Sequence, residues 1–220
     1  MIKVTFIDYM GSDLSVVNAA RVSFGKKSEA LGASGVEGEP MVPILHDQDK
    51  RLINYLAKHK HMSPFGHAFA SFHVKAPVFV ARQLVKNKFL RWNEISRRYV
   101  DSEPKFYVPD VWRGRSEDKK QGSSDKEIDV IESDTDTNRL CFIKYMDLLD
   151  DGVAPEQARM VLPQSTMTEW YWSGSLDAFA DMCNSRCKRD TQLETRIVAN
   201  KLSNFMSCMF PVSWEALKDD

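Results

Sequence analysis

The first residues of the chain alternate in polarity, with Ile2, Val4 and Phe6 sharing one face. A period of two residues is typical of a half-buried strand, so we predict a strand here. Residues 13–21 are predicted to form a short helix. Asp13 can cap this helix, because its carboxylate can accept a backbone N–H.

The next dense part of the chain predicts a helix, a strand and a second helix. Residues 47–60 place apolar side chains at helical spacing. Residues 65–75 are rich in aromatic side chains and alternate in polarity, as a strand does. Pro77 can occupy the first position of a helix, where its missing N–H costs nothing, and this helix is predicted to continue to Asn87.

The last dense part predicts three helices. Pro155 can open the first, which must end before Pro163 because the residue before a proline disfavours helical geometry. The second is predicted to start at Ser175. A Thr-x-x-Glu capping box at Thr191 predicts a third that runs to about residue 205. Because the helices follow the early strands, the predicted fold class is α+β.

Residues 25–40 and 113–138 are rich in Gly, Ser and charged residues and nearly lack aromatic side chains. They cannot bury enough apolar surface to order themselves alone, so we predict two surface loop insertions. The three remaining blocks are each too short to be a domain. Residues 1–220 are therefore predicted to form a single domain.

Composition excludes several classes of protein. Lys and Arg number 30 and Asp and Glu 31, so the net charge of -1 gives no overall attraction to nucleic acid or an anionic membrane. Four cysteines are too few for a disulfide scaffold. Asp8 interrupts the first apolar stretch, and no stretch approaches the roughly 18 apolar residues of a membrane helix. We therefore expect a cytoplasmic protein that binds neither membrane nor nucleic acid.

Basic and aromatic residues alternate between positions 82 and 99. The basic ones are Arg82, Lys86, Lys88, Arg91, Arg97 and Arg98, and the aromatic ones are Phe89, Trp92 and Tyr99. Such a run is either a solvated face or an anion site, since fixed cations around one concavity favour phosphate. Asn93, Glu94 and Ser96 add an amide, a carboxylate and a hydroxyl. A pure phosphate patch has no use for a carboxylate, so this combination favours a site for a nucleotide and a second ligand.

Other candidate motifs are less informative. His59, His61 and His67 have no Asp, Glu or Cys in their segment to complete a zinc set, so we predict no metal. Cys183 and Cys187 are one helical turn apart, and such a pair is more often part of the core. The glycine-rich loops of Rossmann and P-loop sites are absent, so a bound dinucleotide would need another fold.

Short motifs in all three dense blocks match one known family. The family frame ARQ…NExSxRY is matched by Ala81-Arg82-Gln83, Asn93-Glu94, Ser96 and Arg98-Tyr99. Further matches are Ala158-Arg159-x-x-Leu162-Pro163, Asn184-x-Arg186, Gln192-x-Glu194-x-Arg196 and Ala20-Arg21-Val22-Ser23-Phe24. The chain therefore resembles the flavin-dependent thymidylate synthases, and only the two insertions fall outside the resemblance.

The resemblance implies reductive methylation of dUMP to dTMP, with methylenetetrahydrofolate as carbon donor, FAD as hydride carrier and NADPH as reductant. It implies a homotetramer in which a sheet has flanking helices and long helices lie at the oligomer core. The implied dUMP-binding residues are Gln83, Lys86, Glu94, Ser96, Arg97, Arg98, Arg159 and Arg186. The implied FAD-binding residues are His61, Ser63, Lys86, Asn87, Lys88 and Glu94. Arg186 is the implied catalytic residue, because a guanidinium at the uracil edge stabilises negative charge on the ring.

The match to the family has gaps. Lys86-Asn87-Lys88 stands where the family has Arg-His-Arg, and Asp190 stands where the family has a His. Lysine provides a point charge in place of the planar arginine fork, so flavin contacts are expected to differ more than substrate contacts. Two alternatives stay open: a related flavin-dependent pyrimidine nucleotide hydroxymethylase on the same scaffold, and a module that binds single-stranded nucleic acid through residues 82–99.

Overall fold

The computed structural model describes residues 1–35, 41–100, 102–117, 122–129 and 134–219, without the side chains of residues 134 and 135. The strands are β1 (Lys3–Met10), β2 (Gly32–Ser34), β3 (Val42–Ile44), β4 (Phe69–Pro77), β5 (Leu90–Glu94), β6 (Trp112–Arg115), β7 (Ser123–Ile128) and β8 (Met167–Ser175). The helices are α1 (Asp13–Arg21), α2 (Asp47–Lys58), α3 (Val78–Leu84), α4 (Asp134–Asp150), α5 (Pro155–Ala158), α6 (Leu176–Arg186), α7 (Leu193–Met209) and α8 (Pro211–Leu217). Short 3₁₀ helices cover Val22–Phe24, Ser63–His67 and Arg159–Val161.

Four strands form an antiparallel sheet in the order β1-β4-β8-β5. β4 and β8 pair over their full lengths, from Phe69 opposite Ser175 to Pro77 opposite Met167. Along both strands, buried side chains alternate with less buried ones. This alternation is expected for a sheet that packs one face against helices. The predicted mixture of a sheet with helices is confirmed, whereas the position of long helices at an oligomer core stays a prediction.

Aromatic side chains fill the space between the sheet and its helices. The ring of Phe72 on β4 lies 5.3 Å from that of Phe179 on α6, in an edge-on arrangement. Phe205 on α7 contacts the same ring, with centroids 5.8 Å apart. On β8, Trp170 and Trp172 are each 1% exposed. Aromatic pairs of this kind contribute about 0.5–1.5 kcal/mol beyond the area that they bury, so this layer fixes the sheet relative to α6 and α7.

Asp13 joins α1 to α8. Its carboxylate is fully buried and accepts the backbone N–H of Val212 at 2.9 Å and of Ser213 at 3.0 Å, in the first turn of α8. Burial raises the pKa of Asp13, and the hydrogen bonds to Val212 and Ser213 lower this pKa by a smaller amount. The N-cap of α1 is Ser12. The prediction that Asp13 caps its own helix is therefore wrong, because its carboxylate caps a different one.

Several predicted elements exist with different ends. The predicted strand at residues 65–75 begins only at Phe69, because the residues before it form a 3₁₀ helix. The helix predicted to reach Asn87 ends at Leu84, whose carbonyl accepts the side-chain amide of Asn87 at 2.7 Å. This local hydrogen bond competes with the next helical turn and ends the helix.

The start of α7 also differs from its prediction. Gln192 is the N-cap residue, one position after the predicted Thr191. The hydroxyl of Thr191 donates instead to the carbonyl of Ser185 at 3.3 Å, at the end of α6. Thr191 thus fixes the connection between two helices, and the predicted capping box is wrong.

Both segments predicted as loops contain strands. β2 pairs with β3 and β6 pairs with β7, each in a two-stranded sheet, and α4 begins within the second segment. Contacts with the rest of the fold order the polar residues: Asn18 on α1 exchanges two hydrogen bonds with the backbone of Ser28, at 2.7 and 3.1 Å. The loop prediction is wrong where these strands and α4 lie, whereas residues 26–31 form no helix or strand; that the two segments are insertions stays a prediction. Residues 36–40, 118–121 and 130–133 lie outside the described residues.

Candidate functional site

A cleft of about 720 Å³ lies where the end of β5 meets the start of α3 and of β8. We call it the arginine cleft. The charged and hydroxyl-bearing residues that line it are Arg82, Glu94, Ser96, Arg97, Arg98, Glu156, Arg159, Thr166 and Thr168. Four guanidinium groups face two carboxylates here, so the cleft has an excess of positive charge. Clefts lined by one sign of charge concentrate ligands of the opposite sign.

Glu94 is the most firmly held polar side chain of the arginine cleft. Its Oε1 accepts the hydroxyl of Thr168 at 2.7 Å, and its Oε2 accepts the indole N–H of Trp92 at 3.1 Å. Trp92 in turn stacks on the buried Trp170, with centroids 4.3 Å apart and an interplanar angle of 18°. Glu94 therefore presents a fixed acceptor that the sheet positions.

The cations of the arginine cleft keep most of their donors free. Ser96 Oγ accepts the backbone N–H and the Nε–H of Arg98, both at 3.3 Å. Arg97 and Arg159 each donate one N–H to a nearby backbone carbonyl. The side chain of Arg82, on α3, makes no hydrogen bond or ion pair with any residue that the structure describes. Because a guanidinium has five N–H donors, each of these residues can also bind a ligand.

The other predicted substrate residues do not line the arginine cleft. Gln83 contacts α7: its side-chain amide donates to Gln192 Oε1, and its Oε1 accepts the hydroxyl of Thr195 at 3.1 Å. Lys86 is exposed in the turn after α3. Arg186 is the last residue of α6. Within one chain, the predicted dUMP set is therefore divided between three places.

Arg186 is partly buried and has an unused donor. Its Nε is buried and has no hydrogen-bond partner among the residues described. Buried polar groups are normally hydrogen-bonded, so this N–H is available to a ligand. The neighbouring Cys187 has a thiol whose pKa is lowered by its hydrogen bond with Cys183. Cys183 itself is 2% exposed and belongs to the core, as its spacing predicted.

The predicted flavin residues Lys86, Asn87 and Lys88 form an exposed turn with Phe89. The two lysines are exposed, and Phe89 has a φ of 63° with 83% of its surface exposed. A positive φ is uncommon for a residue other than glycine. The turn thus holds two cations and an aromatic ring in solvent.

His61 and Ser63 line a second cleft of about 850 Å³ beside α1 and α2, which we call the apolar cleft. The ring of His61 is nearly parallel to that of Tyr55, at 12°, with centroids 6.1 Å apart. The cations of this cleft are Arg21, Lys26 and Arg51. Glu94, the last predicted flavin residue, lies in the arginine cleft, so the flavin set is also divided.

The described residues lack two further features. None of their helices combines the length and the apolar composition needed to cross a bilayer. The same residues contain no group of three or more His, Cys, Asp or Glu side chains that could hold a metal ion.

Sequence reasoning left Thr168 and Glu156 out of the site. Thr168 holds Glu94, and Glu156 lines the arginine cleft. Glu156 lies three residues before the matched Arg159, just outside the motif that begins at Ala158. Thr168 lies on β8, whose alternating pattern was present in the sequence but was not interpreted as a strand.

The fold thus places a cleft with an excess of positive charge at the end of an antiparallel sheet. The family model described as "Thymidylate synthase complementing protein" matches residues 5–212. Relatives named flavin-dependent thymidylate synthase from Thermosipho africanus and Thermus thermophilus are 36% and 34% identical over 218 residues. These alignments cover 96% and 98% of this chain and 88% and 75% of the relatives. The chain belongs to the flavin-dependent thymidylate synthase family, and the prediction made from its motifs is confirmed.

Solved structures share the fold. The UMP/dUMP methylase PolB from Streptomyces cacaoi, bound with 5-Br dUMP, matches with a TM-score of 0.81 at 32% identity, over 98% of this chain and 94% of that chain. Its complex with 5-Br UMP matches with a TM-score of 0.80 at 30% identity, over 98% and 93% of the two chains.

Proposed function

We propose that the protein methylates dUMP to dTMP in a flavin-dependent reaction and that dUMP binds in the arginine cleft. One observation carries this proposal. The fold brings Glu94, Ser96, Arg97, Arg98 and Arg159 to one cleft, although Arg159 is distant from the others in sequence. Guanidinium groups suit the phosphate of a nucleotide, and Glu94 is a fixed acceptor for a sugar or base donor.

FAD is the proposed flavin, and the apolar cleft fits it. The paired rings of Tyr55 and His61 offer a stacking surface, and Lys26 and Arg51 offer cations for a diphosphate, whereas Arg21 already pairs with the buried Asp49. The exposed Lys86 and Lys88 add two more cations from another part of the chain. When bound, the flavin supplies the hydride chemistry, and the protein supplies binding, orientation and electrostatics.

A homotetramer is proposed because the residues assigned to FAD lie on separate surfaces of one chain. His61 and Ser63 line the apolar cleft, Lys86 and Lys88 lie on the exposed turn, and Glu94 lines the arginine cleft. Surfaces of different subunits can combine into one site when copies assemble symmetrically. The distribution of the predicted FAD residues over separate surfaces of one chain is therefore the observation that supports the assembly of several copies.

Arg186 is proposed to act at the uracil edge. Its buried Nε–H has no hydrogen-bond partner in the part of the chain that the structure describes, and a guanidinium there would stabilise the negative charge that develops as C5 of the ring becomes nucleophilic. Ser96 is proposed to position the substrate. Its hydroxyl contacts Arg98, and a serine without an adjacent base is a weak nucleophile.

Methylenetetrahydrofolate and NADPH are the proposed carbon donor and reductant, on the strength of the family motifs. UMP is a second candidate substrate, because PolB, which shares 32% identity and the fold, is named a methylase of both UMP and dUMP. The same comparison favours methylation over the hydroxymethylase alternative. The nucleic-acid-binding alternative has no support from the relatives.

The test is a reconstituted reaction analysed by mass spectrometry. The purified protein is incubated with methylenetetrahydrofolate, NADPH, added FAD and either dUMP or UMP, and each component is omitted in turn. We expect dTMP from dUMP and a flavin absorption band in the protein. A hydroxymethylated product, or dTMP formation that is independent of flavin, would contradict the proposal.

A further inference from the structure

The end of α6 carries two cysteines in direct contact, Cys183 and Cys187. The backbone N–H of Cys187 donates to the carbonyl of Cys183 at 2.8 Å. Residues four apart on a helix lie on the same face, and the two thiols are hydrogen-bonded to each other. Both thiols are free. The pair therefore already has the proximity that a disulfide requires.

The two cysteines differ in their access to solvent. Cys183 is 2% exposed, and its Sγ lies 3.6 Å from the carbonyl oxygen of Ala199 on α7. Cys187 is only partly buried. A small solute can therefore reach the sulfur of Cys187 from solvent, whereas Cys183 can react only with its neighbour.

The surroundings of Cys187 favour its reactive form. The hydrogen bond with Cys183 lowers the pKa of the Cys187 thiol, burial raises it, and the charge of Lys218 lowers it again. Lys218 is kept close by Asn184, whose side-chain amide donates to the carbonyl of Leu217 at 2.8 Å. The thiolate is the nucleophilic form of cysteine, so Cys187 is the member of the pair that would react first.

We propose that Cys187 is an oxidation site and forms a reversible disulfide with Cys183 when the protein meets hydrogen peroxide. The Cys187 thiolate attacks one peroxide oxygen and becomes a sulfenic acid, while the O–O bond breaks and the other oxygen leaves as hydroxide. The Cys183 sulfur then attacks the sulfur of Cys187, and the S–O bond breaks. That oxygen leaves as water with the proton of Cys183. The two thiols thus lose two electrons, and the peroxide is reduced to two waters.

The disulfide distorts the end of α6. The Cβ atoms of a disulfide are about 3.5–4.5 Å apart, whereas those of residues four apart on a helix are about 5–6 Å apart. Cys187 is the C-cap, directly after the last helical residue, Arg186. Its backbone can therefore move toward the buried Cys183, and Arg186 moves with it. A strained disulfide is readily reduced, which makes the change reversible. The effect on dTMP formation rests on the proposed function, but the disulfide itself does not.

Peptide mass spectrometry tests the disulfide without catalysis. The reduced protein is treated with a small excess of hydrogen peroxide, its free thiols are alkylated, and the chain is digested with trypsin. Because trypsin cleaves after Arg186, the disulfide joins two peptides, which should separate on reduction with dithiothreitol. Cys187→Ser should give no joined peptides, whereas Cys208→Ser, the same change at an exposed cysteine on α7, should behave like the wild type. Recovery of Cys183 in its alkylated form after peroxide treatment would overturn the proposal.

Turnover then tests the effect on Arg186. Oxidation should lower dTMP formation by the wild type at least about tenfold, since misplacing a group by about 1 Å can cost about 100-fold, and dithiothreitol should restore it. Cys187→Ser should keep its activity in peroxide. An equal loss in Cys187→Ser, or a disulfide without loss of turnover, would overturn the effect on Arg186. If the reduced wild type forms no dTMP yet forms the disulfide, the proposed function fails and the oxidation site stands.

Discussion

The arginine cleft takes residues 94–98 from the same stretch of sequence as the exposed turn at residues 86–89, but the two regions are built differently. In the cleft, Glu94 is held by Thr168 and Trp92, which the sheet positions. In the turn, Lys86 and Lys88 are exposed, and Phe89 adopts a positive φ. The cleft is thus preorganised by its own chain. The side chains of Lys86, Lys88 and Phe89 in the turn are instead exposed to solvent.

The largest expected effect concerns Arg186, which lies in neither region. Arg186→Lys should lower the turnover number for dTMP formation about 100-fold, because a preorganised donor that acts on developing charge is worth about that factor. The dissociation constant of dUMP should change less than about threefold, since the interaction strengthens mainly in the transition state. Stopped-flow turnover and dUMP titration measure the two quantities.

Arg139→Lys serves as the control for Arg186→Lys, because it makes the same chemical change on the exposed surface of α4. A weaker dUMP affinity with unchanged turnover would show that Arg186 only binds the substrate. Arg186 would then have the same role that we propose for the side chains of the arginine cleft, which is to bind dUMP.

The next effect tests the role of Ser96 in the cleft. Ser96→Ala should reduce dTMP formation about tenfold, because a hydrogen bond contributes roughly 0.5–1.5 kcal/mol net. Intact-protein mass spectrometry of the wild type with dUMP should show no covalent adduct. Complete inactivity in a Ser96→Ala protein that still binds dUMP and FAD would identify Ser96 as a nucleophile.

A smaller effect tests whether the sheet preorganises Glu94. Thr168→Val keeps the shape of the side chain and removes the hydroxyl that donates to Glu94 Oε1. We expect the KM for dUMP to rise about three- to tenfold, less than the full effect of a hydrogen bond to a charged group, because Trp92 still holds the other oxygen of Glu94. Thr166→Val is the control in the same cleft, since that hydroxyl donates to the carbonyl of Pro163. Equal KM changes in both variants would mean that the position of Glu94 is unimportant.

The smallest effect concerns the exposed turn. The triple variant Lys86→Arg/Asn87→His/Lys88→Arg should lower the dissociation constant of FAD about threefold, because arginine forks bind a diphosphate better than point charges do. The affinity for dUMP should stay unchanged. Flavin fluorescence titration measures the first quantity. An FAD affinity that stays the same or falls would show that the turn does not contact the flavin.

The strands of the sheet show how far the sequence predicts the fold. β4 was predicted because its alternation is strict and aromatic, although its start was placed too early. β8 has the same alternation in Thr168, Trp170 and Trp172, so its signal was present and was missed. β5 has only five residues within a basic run, too few for a period to emerge. The order β1-β4-β8-β5 depends on pairings between distant residues, which no local pattern carries.

The candidate site shows a similar limit. Glu94, Ser96 and Arg98 could be named from their motif, and the structure places them in one cleft. Their partner Thr168 lies 74 residues from Glu94, so only the folded chain reveals the contact. The β6–β7 hairpin shows the same limit, because the composition of its segment predicted a loop and only the folded chain reveals its ion pair with α7, from Arg113 to Glu194.

The contact of Asp13 with the first turn of α8 joins two segments that the ribosome synthesises far apart in time. The bonded groups are 199 and 200 residues apart. At about 5–20 residues per second, a ribosome needs roughly 10–40 s to cover that distance. Throughout that interval the carboxylate has no helix terminus to cap, and water must solvate it. α1 therefore cannot reach its final buried position during synthesis until α8 has emerged, even though it is among the first elements to leave the ribosome.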